Sequence, residues 1–153
     1  LIREKMKKIV TNSNQETIEL GENIIKYLPK EINVILLEGD LSAGKTTLTK
    51  GIGKALGIKE IINSPTFTIM KKYKGNKVLY HMDLYRMNQV GTDFDLEEYI
   101  DNKEAISVIE WPFQVKEILP SSYILINLVW LEENKRSFEI STHNYSSDWE
   151  VNL

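Results

Sequence analysis

The sequence contains no cysteine among its 153 residues, which excludes disulfide bonds and thiolate metal sites. It lacks an apolar run approaching the ~20 residues that a membrane-spanning helix requires, and its first residues have no apolar stretch of signal-peptide length. Basic residues are not in excess: 19 Lys and Arg stand against 22 Asp and Glu, and the formal net charge is −3. A protein that binds an RNA backbone by itself usually carries a basic face. Direct RNA binding is therefore disfavoured. The lack of cysteine fits a protein of the cytoplasm, and we expect this protein to be cytoplasmic.

The composition is that of an ordinary globular protein, with 42% hydrophobic and 27% charged residues. A chain of this length suits one domain with a sizeable core. We therefore predict a single domain over residues 1–153, in which residues 1–6 are a candidate extension and residues 142–153 an irregular tail.

The first half of the chain alternates between strand and helix patterns. A short strand is predicted over residues 7–12, and Ser13 with Glu16 forms a capping-box pattern at a helix start. The almost unbroken apolar run over residues 32–38 is typical of a strand buried on both faces. A second helix is predicted after it, with an apolar stripe of Leu48, Ile52, Ala55 and Leu56.

The second half is mostly strands. The pattern predicts strands over 67–73 and 78–85, a short helix near 94–100, and further strands over 105–111, 123–131 and 136–141. This order indicates a three-layer α/β fold, with a mixed sheet that has a parallel core and antiparallel additions.

The most informative stretch is "GDLSAGKT", residues 39–46, which fits G-x-x-x-x-G-K-[ST]. Glycines allow successive amides to face one anion, and the helix that follows presents its positive end to the same anion. Lys45 would reach the β- and γ-phosphates, and the Thr46 hydroxyl would bind Mg²⁺. The alternative is an ordinary strand–turn–helix junction with a solvated lysine. The motif therefore predicts that the three-layer fold is of the P-loop NTPase type. The predicted phosphate-binding residues are Gly39, Asp40, Ser42, Ala43, Gly44, Lys45, Thr46 and Thr47.

A P-loop also needs a carboxylate for its metal ion, at the end of a neighbouring strand. Asp83 and Glu110 both end apolar strands, and ligands of open α/β sheets collect at that edge. Either acid alone could be a solvated strand terminus, but the pair indicates at least one functional carboxylate. His81 shares a strand face with Asp83 and could orient it, although a core histidine is the alternative. Trp111 could line the nucleotide pocket, or it could belong to the hydrophobic core or to the rim of the site.

The nucleotide is predicted to be ATP. Guanine-specific P-loop proteins usually carry Asn-Lys-x-Asp, and the three Asn-Lys pairs at residues 76–77, 102–103 and 134–135 all lack the final Asp. We therefore expect ATP and Mg²⁺ as the cofactors.

Four motifs in series resemble a known family: "GDLSAGKTT" (39–47), "SPTFTI" (64–69), "HMDLYR" (81–86) and "IEWP" (109–112). Together they are similar to the TsaE (YjeE) family of bacterial tRNA threonylcarbamoyladenosine biosynthesis proteins, over roughly residues 7–141. The resemblance implies a weak Mg²⁺-dependent ATPase that acts with TsaD and TsaB. These partners form the threonylcarbamoyl group on adenosine 37 of tRNAs that read ANN codons.

The resemblance also implies residue roles. Lys45 would hold the phosphates, Thr46 and Glu110 would bind Mg²⁺, and Asp83 would lie near the γ-phosphate and position water. Thr66 would belong to a switch-like loop. The segment around Asn14 and Thr17, and the end of the last hairpin at Lys135 and Arg136, would approach the nucleotide.

Two departures from the family pattern occur, at Ser42, where glycine is usual, and in "FDLEEY" (94–99). Neither changes Lys45, Thr46, Asp83 or Glu110. Two other functions stay open on the sequence: a nucleotide-gated assembly module with incidental hydrolysis, and a small P-loop kinase.

Overall fold

The structure is a computed structural model that describes residues 6–40, 44–65, 69–85, 96–111 and 116–153. The helices are α1 (Asn14–Tyr27), α2 (Lys45–Ala55) and α3 (Leu96–Ile100), with a 3-10 helix at Trp149–Asn152. Within these ranges no helix is both long and apolar enough to cross a membrane. The strands are β1 (Met6–Thr11), β2 (Val34–Gly39), β3 (Met70–Tyr73), β4 (Leu79–Asp83), β5 (Ile106–Glu110), β6 (Tyr123–Glu132) and β7 (Lys135–His143).

All seven strands form one sheet in the order β1-β7-β6-β2-β5-β4-β3. The four central strands β6, β2, β5 and β4 run parallel to one another. Strands β1 and β7 at one side and β3 at the other are antiparallel additions. The predicted mixed sheet with a parallel core is confirmed.

The central strands are buried on both faces, which explains their unbroken apolar sequences. In β2, Ile35 and Leu37 belong to the core beneath α1 and α2, whereas Val34 and Leu36 belong to a second core that includes Leu96 of α3. Because neighbouring side chains of a strand point to opposite faces, this division makes three layers, with the sheet in the middle.

Helix α1 begins where the capping pattern predicts. The Ser13 Oγ accepts a hydrogen bond from the Glu16 amide at 3.1 Å. Glu16 in return accepts from the amide of Asn12 at 3.2 Å, one residue before the usual capping-box donor. The cap ties the end of β1 to the start of α1, so that the first turn of α1 has a defined position.

Helices α1 and α2 approach closely through glycines. A Cβ atom on Gly51 would lie 2.1 Å from the carbonyl oxygen of Ile18, and one on Gly21 would lie 2.4 Å from that of Leu48. This contact turns the face of α2 that carries Gly51 inward. The predicted apolar stripe is wrong at Ala55, which lies one turn after Gly51 on the same side of α2 but is exposed at the last residue of the helix.

The C-terminal segment is more ordered than the irregular tail expected from residue 142. Strand β7 continues through His143, and the final 3-10 helix buries Trp149, whose indole donates to the Thr142 Oγ1 at 2.8 Å. Trp149 joins the core beneath α1 and α2. The sequence did not predict this burial, because the segment is polar and its aromatic residues follow no clear period.

The close approach of the two helices predicts the effect of Gly51→Ala. Alanine is the better helix former by about 1 kcal/mol, but its Cβ would collide with the backbone of α1. We expect the free energy of unfolding in urea to fall by about 1–3 kcal/mol. The control is Lys50→Ala at the exposed neighbouring position, which should change it by at most about 0.5 kcal/mol. A Gly51→Ala variant as stable as the wild type would contradict the described packing.

Candidate nucleotide site

The carboxyl ends of three parallel strands meet at one edge of the sheet. Strand β2 ends at Gly39, β4 at Asp83 and β5 at Glu110, and the last two are directly paired in the register. Open α/β sheets bind ligands at this edge, so that the residues there form the candidate site.

Two glycines make the backbone path between β2 and α2 possible. Gly39 has φ +146° and Gly44 has φ +104°, conformations that other residues rarely adopt. At Gly39 space is also limiting, because a Cβ atom would lie 2.4 Å from the carbonyl oxygen of Leu128. At Gly44 the nearest atom would be 3.8 Å away, on Arg136. Glycine at position 44 is therefore required by the backbone angle alone.

Lys45, the first residue of α2, points into the protein. It is 4% exposed, and its Nζ donates to the carbonyl oxygen of Gly39 at 2.9 Å. The same Nζ lies 3.9 Å from the Glu110 Oε1 and 4.6 Å from the centroid of the Trp111 ring. The alternative of a solvated lysine at an ordinary turn is wrong.

Glu110 is a buried carboxylate with two different neighbours. It is 3% exposed. Its Oε2 lies 2.5 Å from the Nε2 of His81, and its Oε1 is the oxygen nearest Lys45. The sequence suggested that His81 could orient Asp83, but the structure joins it to Glu110. Both acids lie on the histidine's side of the sheet, and the strand pairing alone does not show which one the ring reaches.

Asp83 lies beside Glu110 and is half-buried. Its Oδ1 accepts a hydrogen bond from the Tyr85 amide at 3.1 Å. Burial raises the pKa of the Asp83 carboxyl, and the negative charge of Glu110 adds to the rise. The Tyr85 amide, Lys45 and His81 act in the opposite direction but do not cancel it. Asp83 is thus a carboxyl that holds its proton more strongly than an exposed one.

A cavity of about 220 Å³ opens beside the start of α2. Chain segments far apart in sequence line it, including Asn14 of α1 and Arg136 of β7. The Arg136 side chain is held in place, because its Nη1 donates to the carbonyl oxygens of Glu132 at 2.8 Å and Glu133 at 3.2 Å. The full lining is Asn14, Thr17, Gly44, Lys45, Thr46, Thr47 and Arg136.

The remaining predicted residues are placed differently. Asp40 is exposed after β2, and Lys135 lies 3.9 Å from Glu132 in an exposed pair rather than in the cavity lining. Ser42, Ala43 and Thr66 lie outside the described residues.

Trp111 and Tyr85 form an aromatic wall that the sequence indicated only in part. Their ring centroids are 5.0 Å apart, and Trp111 has φ +56°, which is unusual for a bulky residue. Tyr85 received no role from the sequence, although it follows Asp83 by two residues and is 58% exposed. The turn after β5 thereby places the Trp111 ring against the Lys45 ammonium.

The oxygen atoms at this edge suit Mg²⁺. Carboxylate and hydroxyl oxygens are its preferred protein ligands, and it commonly uses one or two carboxylates together with water and substrate phosphates. Glu110 and Thr46 offer such atoms, and Asp83 lies next to Glu110. No group of three or more His, Asp or Glu residues that could hold a metal alone occurs in the described part of the chain. The donor set thus fits a metal that arrives with a phosphate ligand.

Comparisons with known proteins agree on one family. A family model described as "Threonylcarbamoyl adenosine biosynthesis protein TsaE" matches residues 11–138. The tRNA threonylcarbamoyladenosine biosynthesis protein TsaE of Bacillus subtilis is 48% identical over 114 residues, or 74% of this chain and 72% of that protein. The protein of that name from a Nostoc species is 41% identical over 146 residues, covering 92% and 89% respectively. The crystal structure of Bacillus subtilis YdiB matches with a TM-score of 0.77 and 32% identity, covering 99% of this chain and 94% of that chain.

The raised pKa of Asp83 predicts a pH-dependent effect of Asp83→Asn. The folded state binds this proton more tightly than the unfolded state, so the carboxyl contributes stability below its ordinary pKa of 3.8 that is lost as the pH rises through the folded pKa. Asparagine does not ionise and can still accept from the Tyr85 amide. We therefore expect Asp83→Asn to gain stability relative to the wild type as the pH rises from 4 to 7.5.

Urea unfolding of both proteins across that range measures the gain. Asp101→Asn, at an exposed position, is the matched control and should show little change with pH. A stability difference between Asp83→Asn and the wild type that is constant across the range would contradict the raised pKa.

Proposed function

Since the chain belongs to the TsaE family, we propose that it binds ATP at the β2–α2 junction and hydrolyses it in support of threonylcarbamoyladenosine formation in tRNA. The observation that carries the proposal is the buried ammonium of Lys45, which lies 3.9 Å from the carboxylate of Glu110 at the carboxyl edge of the sheet. Burying a lysine at this position is not expected to stabilise the fold. Its ammonium would, however, attract the negatively charged oxygens of a triphosphate.

The start of α2 supplies the phosphate-binding groups. The first amides of a helix have no partner within the helix, and the helix dipole adds positive potential at the same end. Gly44, Lys45 and Thr46 carry these amides. We propose that they bind the β- and γ-phosphates together with the Lys45 ammonium, which lies within the same turn.

The two acids have separate roles in this proposal. Thr46 and Glu110 would hold Mg²⁺, which, when bound, offsets negative charge on the phosphate oxygens. Asp83, less buried than Glu110, would accept a hydrogen bond from the attacking water and orient it toward the γ-phosphate. Lys45 would stabilise the charge that develops on the phosphate oxygens in the transition state.

Arg136 and Asn14 complete the nucleotide pocket. Both line the cavity beside Thr46 and Thr47. Asn14 is the first residue of α1, which packs against α2, and the Arg136 side chain lies beside Gly44. Arg136 is oriented by the backbone of the β6–β7 turn, so that little side-chain freedom would be lost on binding. We propose that these residues contact the nucleotide outside the triphosphate.

We further propose that the protein acts with TsaD and TsaB homologues and reaches tRNA only through them. The family resemblance supports these partners. The net charge of −3 also favours a protein partner over direct contact with an RNA backbone.

Lys45→Ala tests the proposed chemistry. Removing a charge that stabilises the transition state typically lowers turnover by about 10²–10³-fold, and we expect a loss at least that large. Phosphate release is measured with and without TsaD and TsaB. Lys50→Ala, at an exposed lysine of the same helix, should keep wild-type turnover. Near-wild-type turnover of Lys45→Ala would refute the proposal.

Identification of the reaction product and measurement of association with TsaD and TsaB separate the other two functions. A phosphorylated small molecule in place of free phosphate would indicate a kinase. Association with TsaD and TsaB that a non-hydrolysable ATP analogue supports fully, with tRNA modification preserved, would indicate a nucleotide-gated assembly module.

A further inference from the structure

His81 is the most deeply buried ionisable side chain near the site. It is 0% exposed in the middle of β4, and its Nε2 contacts the Glu110 Oε2 at 2.5 Å. Of the two oxygens of Glu110, Oε2 therefore belongs to the histidine, whereas Oε1 is the oxygen nearest Lys45. The carboxylate has one oxygen on the core side and one on the side of the P-loop.

A glutamate carboxylate does not hold such an arrangement by itself. Rotation about its last side-chain bond is broad, so that the plane of the carboxylate has no fixed orientation. A hydrogen bond to one oxygen fixes the plane of the group and leaves the second oxygen in a constant direction. Residues that orient metal-binding side chains in this way commonly change metal affinity or activity by about 10–100-fold when replaced.

The hydrogen-bonding pattern of His81 points to Glu110 alone. Its Nδ1 has no hydrogen-bond partner among the described residues. Asp83, the other acid at this edge, is anchored by the backbone amide of Tyr85. A histidine kept only to fill the core would not need a short polar contact with a buried acid, and an apolar residue would fill the same space without a desolvation cost.

We propose that His81 is a positioning residue, which donates from Nε2 to the Glu110 Oε2 and thereby directs Oε1 toward Lys45 and the metal bound with the nucleotide. The proposal rests on the function proposed above, because the value of this orientation lies in metal and phosphate binding. This positioning role requires only a proton on the His81 Nε2, which both the neutral Nε2–H tautomer and the charged ring carry.

Two amide substitutions test this role. The side-chain nitrogen of glutamine reaches about as far from the backbone as the imidazole Nε2, whereas that of asparagine reaches only about as far as Nδ1. His81→Gln therefore keeps a donor near Glu110, and His81→Asn moves it away. Both place a neutral amide in the same buried position, so a purely structural role would affect both proteins in a similar way.

The main measurement is Mn²⁺ binding, used as a paramagnetic substitute for Mg²⁺. Electron paramagnetic resonance follows it in the presence of a non-hydrolysable ATP analogue, and therefore does not depend on turnover. We expect His81→Asn to weaken Mn²⁺ binding by about 10–100-fold and His81→Gln to stay within about three-fold of the wild type. Equal losses in the two variants, or wild-type binding by His81→Asn, would overturn the proposal.

A second measurement examines the hydrogen bond in the unmutated ring. The chain has only two histidines, so that nitrogen NMR of the imidazoles gives few signals. We expect a slowly exchanging Nε2 proton on His81 that shifts strongly in Glu110→Gln and little in Asp83→Asn. A signal that responds to Asp83→Asn instead would overturn the proposal even if the His81 variants failed to fold. Absent phosphate release with intact Mn²⁺ binding would count against hydrolysis, not against the positioning of Glu110.

Discussion

The site is built around one costly arrangement, a buried ammonium beside a buried carboxylate. Lys45 and Glu110 have side chains that are each only 4% exposed, and their charged atoms are 3.9 Å apart. Removing two charges from water often costs more free energy than their attraction returns, unless the geometry is tight and every remaining lone pair and proton is bonded. Here the separation is too long for a hydrogen bond, and among the described residues the ammonium donates only to the carbonyl oxygen of Gly39. An interaction of this kind is better explained by ligand binding than by stability.

The rest of the fold holds these two charges in place. The parallel strands β2, β4 and β5 bring Gly39, Asp83 and Glu110 to one edge of the sheet. The close contact between α1 and α2 fixes the helix that begins at Lys45 and places Asn14 near its first turn. The apolar cores on the two faces of the sheet supply the free energy that offsets the burial of charge. A stable scaffold thus supports a locally unfavourable site, as is common for functional sites.

Local patterns predicted much of this structure. Some features depend only on residues that are close in sequence, and these can be recognised without knowing the fold. They are the apolar run of β2, the cap at Ser13 and the glycine–lysine motif. Contacts between segments that are far apart in sequence cannot be predicted from such local patterns. The contact of Gly51 with α1, the exposure of Ala55 at the end of α2 and the burial of Trp149 depend on which helices and strands become neighbours. The pairing of His81 with Glu110 rather than Asp83 is of the same kind, because strand register leaves both acids within reach. Arg136 was proposed from a family likeness, and only the hairpin geometry shows how it reaches the cavity.

We infer that the Lys45 ammonium is buried because it binds the triphosphate of a nucleotide. Thermal unfolding of the wild type and of Lys45→Met, with and without a magnesium complex of a non-hydrolysable ATP analogue, tests it most directly. A ligand that binds only the folded state stabilises it in proportion to the logarithm of its concentration above the dissociation constant. The wild-type midpoint should therefore rise steadily with analogue concentration, and the midpoint of Lys45→Met should stay constant. An equal rise in both proteins, or none in the wild type, would contradict the account.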